Sequence, residues 1–232
     1  MKFVSFNIQH ALHYVEKKIN FEALAEAITA LGADVVALNE VRGLGTDPEY
    51  TAQTETLARL TGMPHFFFAK AIDTKGGPYG NALLSKLPIL HAESLPIPDP
   101  SPRGYTGYYE TRCVLKATLE GGFTVLVTHF GLNPDEQENA VRTLLPHLAS
   151  EKCILMGDFN LTPDSPTLSP IREKMRDAAE LFTDERLSFP SDLPRCKIDY
   201  IFVSPDLNLA AADIPPLVVS DHRPHTAEIK IP

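Results

Sequence analysis

Cysteine is scarce: Cys113, Cys153 and Cys196 are the only three in 232 residues. They lie far apart, are odd in number and form no Cys-x-x-Cys pair. That argues against a disulfide scaffold or a zinc finger and for a reducing compartment, with the three as packing residues. Long apolar runs are missing too, since none reaches the roughly 18 residues that cross a bilayer. The run Phe3–Phe6 gives way to Asn7, Gln9 and His10 and is too short for a signal peptide. The expectation is a soluble, cytoplasmic monomer. Clustered basic charge is also lacking. The 21 Lys and Arg face 30 Asp and Glu, a net charge of −9. Lys70, Lys75, Lys86 and Arg103 stand singly, so no basic track for nucleic-acid phosphates is evident. No fixed-period repeat is present, which excludes a solenoid. No composition break divides the chain, so one domain over residues 1–232 is expected.

What is present is globular: 44% hydrophobic and 22% charged residues. Short strand-like runs occur at Lys2–Ile8, Asp34–Asn39, His65–Ala69, Asn81–Ser85, Val114–Leu119, Phe123–Phe130, Cys153–Met156, Ile198–Val203 and Thr226–Ile231. Helical spacing marks Phe21–Leu31, with Asn20 as cap and Gly32 as stop, then Glu55–Leu60, closed by Gly62, and a segment near Glu136–Leu148. Helices separate some strands and short turns join others, the pattern of a mixed sheet in an α/β protein. Proline is abundant, with five residues between Pro88 and Pro102. Leu87–Tyr109 therefore reads as one long irregular loop, offering Tyr105, Tyr108 and Tyr109 to a base, a sugar, an inositol ring or a membrane surface.

Several apolar runs end in polar side chains. Asn7 ends the first and Glu40 the second; His129 follows Phe123–Thr128; Asp158 and Asn160 follow Cys153–Met156; Asp199, Asp221 and His222 come near the C-terminus. Ligands of open α/β sheets gather beyond strand ends. Four carboxylates in one site repel unless a cation or a shared proton intervenes. Oxygen donors suit Mg²⁺ or Mn²⁺ better than Zn²⁺. The remaining carboxylates are free to orient a water, and an imidazole can stabilise charge growing on phosphate, which is the apparatus of metal-assisted phosphoester hydrolysis. Asp158 and Asn160, two apart, share one side if the segment is extended, and Gly157 lets the chain turn. Asp199 can pair with an imidazole and favour its protonated form.

Seven short motifs carry a resemblance. They are Phe6-Asn7-Ile8, Leu38-Asn39-Glu40, Tyr79 to Ser85, Thr128-His129, Gly157-Asp158-Phe159-Asn160, Ile198-Asp199-Tyr200-Ile201 and Ser220-Asp221-His222. In that order the chain resembles the endonuclease/exonuclease/phosphatase superfamily, which includes DNase I-like nucleases, abasic-site endonucleases, inositol phosphatases and neutral sphingomyelinases. The resemblance implies a four-layer α/β/β/α sandwich of two mixed β-sheets flanked by helices. It implies Glu40 as principal metal ligand, with Asn7 and Asp221 near the metal. It makes Asp158 the general base or acid, Asn160 the residue that orients phosphate or water, and Asp199 and His222 an Asp–His pair. His129 matches a second histidine of the DNase-like and sphingomyelinase-like branches. Glu110 and Arg112 resemble a Glu-x-Arg segment whose arginine contacts phosphate, and Asn81 falls with them among substrate-binding residues. His10, Lys75 and Tyr79 are further candidates for the pocket lining. The reading is an Mg²⁺- or Mn²⁺-dependent phosphoesterase on a small-molecule or lipid-derived substrate. A DNA or RNA nuclease and a non-catalytic phospholigand-binding module remain the alternatives.

Overall fold

The apolar runs assemble into two six-stranded mixed sheets, seen in a computed structural model that describes residues 1–230. In chain order the strands are β1 (Lys2–Asn7), β2 (Leu12–His13), β3 (Lys18–Ile19), β4 (Val35–Arg42), β5 (His65–Asp73), β6 (Pro78–Ser85) and β7 (Ile89–Pro96). Then follow β8 (Cys113–Leu119), β9 (Phe123–His129), β10 (Cys153–Asp158), β11 (Arg176–Asp177), β12 (Asp199–Val203), β13 (Asn208–Asp213) and β14 (His225–Lys230). The helices are α1 (Phe21–Ala30), α2 (Gln53–Thr61), α3 (Pro134–Leu144) and the single turn α4 (Ser169–Arg172). One sheet runs β13-β14-β1-β4-β6-β5 and the other β11-β12-β10-β9-β8-β7, with β2 and β3 forming a small separate hairpin. The pairs β1/β4 and β9/β10 are parallel and their neighbours antiparallel.

Period-two alternation sorts the strands into layers. Phe3, Val35, Ala37 and Leu83 of one sheet meet Leu115, Val125, Val127, Ile154, Met156 and Ile201 of the other in a shared core. The intervening residues Val4, Phe6, Val36 and Leu38 face outward onto α1 and α2. Val114, Leu126, Leu155 and Phe159 face α3 and α4 on the far side. The result is the expected four-layer α/β/β/α sandwich.

Local signals explain most element ends. The Asn20 side chain accepts from Ala23 N–H at the start of α1, and Gly62 in the left-handed region (φ +69°) closes α2. Asn133 and Glu136 form a capping box ahead of α3, so that helix begins earlier than the apolar spacing suggests. It ends at Leu144, because Pro146 turns the continuation into a short 3₁₀ turn over Leu145–His147. The irregular loop expected from Leu87 to Tyr109 is shorter: Ile89–Pro96 is a strand, bracketed by Pro88 and Pro96. Proline is tolerated there because β7 is the edge strand of its sheet. The strand β13 was not foreseen, and of the run Thr226–Ile231 the last residue lies outside the described ones.

Candidate active site

The same alternation that builds the inter-sheet core builds the site. At one end of the sandwich, core-facing positions change from apolar to polar: Phe3 gives way to Asn7, Val35 and Ala37 to Asn39, Val125 and Val127 to His129, and Ile154 and Met156 to Asp158. The antiparallel strands reach that end with their first residues, Asp199 on β12 and His225 on β14, while Asn81 lies on the same face of β6. All seven of these polar residues are buried.

Glu40 breaks the alternation. The strand does not stop there but continues to Arg42 through a bulge between Leu38 and Val41, with Glu40 in the left-handed region at φ +59°. A non-glycine residue held so stores roughly 1–3 kcal/mol of strain, a pattern concentrated at functional sites. The bulge lets the Glu40 carboxylate share an amide with the neighbouring strand: Asn7 Nδ2 donates to Glu40 Oε1 at 3.1 Å and to Asp158 Oδ2 at 3.0 Å.

Asp158 is the hub. Its Oδ2 lies 3.5 Å from His129 Nε2 and 3.6 Å from His222 Nε2. Its Oδ1 accepts from Asn160 N–H at 2.9 Å, and its own backbone N–H donates to Asn39 Oδ1 at 3.0 Å. The segment is not extended as expected, because Asn160 sits at φ +49°. The two side chains converge through a local turn instead. Nor does Gly157 serve as a turn. It lies inside the β9/β10 ladder at φ +149°, and a Cβ there would meet Thr128 O at 1.9 Å. Burial, above all, pushes the Asp158 carboxyl up; the His222 charge opposes the rise and the Asp199 charge adds to it.

The two histidines differ in state. His222 Nδ1 and Asp199 Oδ2 are 2.8 Å apart. Burial alone would lower the His222 pKa, but the Asp199 and Asp158 carboxylates outweigh it and raise it well above the ordinary value. His222 is therefore an imidazolium. His129 Nδ1 lies 3.0 Å from Arg112 Nη1, and a guanidinium can only donate, which leaves the ring proton on Nε2, 3.5 Å from Asp158 Oδ2 and 3.3 Å from Asn160 Nδ2. Burial, then the Arg112 and His222 charges, hold His129 neutral.

Arg112 Nη1 also pairs with Glu110 Oε1 at 2.5 Å, while its Nε is buried without a hydrogen-bond partner. Asn81 lies beneath the cluster with both ends of its amide used. It accepts from Asn39 Nδ2 at 2.8 Å and donates to Cys113 O at 3.0 Å, tying the two sheets together. Asn39 was not assigned a role from the sequence, yet it also donates to Thr128 O across the sheets. Its position at the end of a core-facing alternation was the available signal. Asp221 accepts from Ser220 Oγ at 3.1 Å, and burial pushes its carboxyl up against the opposing His222 charge. Tyr79 is half-buried, and burial together with the Glu40 and Glu110 charges keeps its hydroxyl protonated. Lys75 is exposed. His10 is half-buried, its pKa lowered to about 4 by burial and by Arg42.

One group, Asp158, Asp199 and His222, brings its ligand atoms within 4.8 Å of one another and could hold a metal ion. Among the described residues, no helix is long and apolar enough to cross a membrane.

Comparison with known proteins agrees with this geometry. The profile of the Endonuclease/Exonuclease/phosphatase family matches residues 4–222. An uncharacterized protein of Escherichia coli K12, YbhP, is 25% identical over 250 residues, covering 99% of this chain and 96% of its own length. An endonuclease/exonuclease/phosphatase structure from Beutenbergia cavernae superposes with a TM-score of 0.79 at 22% identity, over 100% of this chain and 71% of that one. A mannosyl-6-phosphatase of Bacteroides thetaiotaomicron superposes at 0.74 with 13% identity over the full length of both.

Proposed function

The chain belongs to the endonuclease/exonuclease/phosphatase family, and we propose that it is an Mg²⁺- or Mn²⁺-dependent phosphoesterase. In this reading it hydrolyses a phosphodiester or phosphomonoester of a small-molecule or lipid-derived substrate by attack of water. The observation that carries it is the buried Asp158 carboxylate, joined through Asn7 to Glu40 and faced by an imidazolium on one side and a neutral imidazole on the other.

The donor set fits a hard divalent cation. Four carboxylates, Glu40, Asp158, Asp199 and Asp221, share the site with His222 as the cation at its centre. Two of them, Asp158 and Asp221, are held above the usual carboxylate range by burial. Asp199 Oδ1 is buried without a hydrogen-bond partner. Glu40, with Asn7 and Asp221, would hold the ion; the Asp158–Asp199–His222 group is less apt because a protonated His222 has no lone pair to offer a metal. When bound, the cation offsets carboxylate repulsion and polarises a phosphoryl oxygen.

The chain's own residues supply the rest. Asp158, with its raised pKa, takes the proton of the attacking water, and Asn160 orients that water or a phosphoryl oxygen. His222, kept protonated by Asp199, faces the charge that grows on phosphate. His129 presents its Nε2–H to the same charge, with Arg112 fixing the tautomer. The acidic balance of the chain and the lack of clustered basic residues favour small or lipid-derived esters over nucleic acid. A panel of bis-p-nitrophenyl phosphate, p-nitrophenyl phosphate and plasmid DNA at low salt, with Mg²⁺ or Mn²⁺, tests the reading. Turnover of a small ester that is abolished in Asp158→Ala and in His222→Ala is expected. Plasmid nicking alone would move the assignment to a nuclease, and full activity in the double variant would overturn the roles.

A further inference from the structure

The Asp199–His222 pair spans the gap between the two sheets. Asp199 opens β12 in one sheet, whereas His222 lies just ahead of β14 in the other. Those strands share no ladder, so sheet pairing does not set the 2.8 Å between Asp199 Oδ2 and His222 Nδ1. A displacement of about 1 Å in a reacting group can cost on the order of 10²-fold in rate. Other contacts have to hold the two segments against each other.

The segment Ser188–Ser191, in the connection from β11 to β12, makes such contacts in both directions. Toward the acid, Ser188 Oγ accepts from Ile198 N–H at 3.1 Å and from Asp199 N–H at 3.3 Å. Toward the imidazole, Ser188 O accepts from Arg223 N–H at 2.8 Å, one residue past His222. Ser191 grips the same loop. Its N–H donates to Asp221 O at 2.7 Å, its Oγ donates to Ser220 O, and its carbonyl accepts from Arg223 Nε at 2.7 Å. Between the two serines, the Phe189 ring lies 4.8 Å from the His222 ring, centre to centre. The segment is itself anchored. Phe189 N–H donates to Cys196 O at 3.0 Å and Cys196 N–H to Phe189 O at 3.1 Å, closing a short hairpin. Ser188 and Ser191 are fully buried, so their polar groups have no water to fall back on, and loss of an acceptor leaves buried N–H groups unpaired.

We propose that Ser188 is a positioning residue for the Asp199–His222 pair: it sets the distance between acid and imidazole across the sheets without touching substrate, with Ser191 steadying the imidazole loop. The inference rests on the phosphoesterase reading and adds to it the residue that aligns its Asp–His pair.

The test compares wild type, Ser188→Ala, Ser188→Cys and Ser188→Thr in the full chain. Three quantities are read: kcat and KM per folded molecule on bis-p-nitrophenyl phosphate with Mn²⁺, the melting temperature, and the downfield proton NMR signal of the Asp199–His222 hydrogen bond, assigned by its absence from His222→Gln. Ser188→Ala is expected to lower kcat about tenfold to a hundredfold, with KM within about twofold, and to shift or erase the downfield proton. Ser188→Thr keeps the hydroxyl and is expected to bring both back toward wild type. Ser188→Cys, close in shape but a weaker acceptor, is expected to fall between, and it decides the matter if Ser188→Ala does not fold. A loss confined to the melting temperature, with kcat per folded molecule and the downfield proton unmoved, would overturn the proposal, as would a Ser188→Thr variant no better than Ser188→Ala. Turnover that the Ala and Cys variants leave unchanged would keep the phosphoesterase reading and remove the positioning role. A wild type that hydrolyses no ester, but whose downfield proton is lost in Ser188→Ala and kept in Ser188→Thr, would remove that reading and keep the alignment.

Discussion

Three histidines, His129, His222 and His225, sit at the same end of the inter-sheet core, and their surroundings set different charge states. His222 faces two carboxylates and is raised to about 10, whereas His129 faces Arg112 and is held neutral. His225 is fully buried, with Nδ1 3.3 Å from Asp199 O, Nε2 unpartnered and Phe182 at 5.5 Å between ring centres. Burial, then the Lys197 charge, keep its pKa well below 6.5. The folded value lies below the unfolded one, so its stabilising contribution is full above pH 6.5 and is lost as pH falls below that value, where the unfolded chain takes up the proton first. His222 runs the other way: its contribution is full below pH 6.5 and is lost as pH rises through about 10. Urea denaturation of wild type and His225→Phe at pH 7.5 and pH 5 should therefore show a smaller acid-side loss in the variant. Equal losses would mean that the ring is not held neutral.

At the scale of elements, the site depends on two sheets being held in register by polar contacts. Asn39 is central, since its amide bonds Asn81 Oδ1, Thr128 O and the Asp158 N–H. Asn39→Ala orphans three buried groups and is expected to cost about 2–4 kcal/mol in urea denaturation, while also lowering activity through the misplaced Asp158. A loss under 1 kcal/mol would show that the bridge is incidental. Most strands were legible because each buried run is apolar and bounded by turn residues, and the capped ends of α1 and α2 because Asn20, Gly32 and Gly62 announce them. The edge strand β7 was obscured by its flanking prolines. The burial pattern of β13 lacks clean alternation, so its Ala-rich run gave no strand signal. Glu40 and Asn160 were legible as chemistry but not as geometry, since nothing local predicts a left-handed acid in a bulge or a left-handed amide at a turn. Asn81 shows the converse: its amide suits a phosphate, but the groups that occupy it, on Asn39 and Cys113, come from distant strands and appear only once the chain is folded.

For the molecule as a whole, one sandwich gives each end a different character. One end closes with short turns between strands, beside which Phe66 and Leu90 are exposed. The other end gathers the polar termini of β1, β4, β9, β10, β12 and β14. Four of the thirty acids stand in the site, so the net charge of −9 is in part a property of that end. The measurement that bears most directly on the central claim is the rate of bis-p-nitrophenyl phosphate hydrolysis by wild type and Asp158→Asn, each with Mn²⁺ and with EDTA. Turnover by wild type is expected to need the metal, and the rate to fall about 10²–10⁴-fold in the variant at unchanged folding. Turnover that survives both EDTA and loss of the Asp158 carboxylate would contradict it.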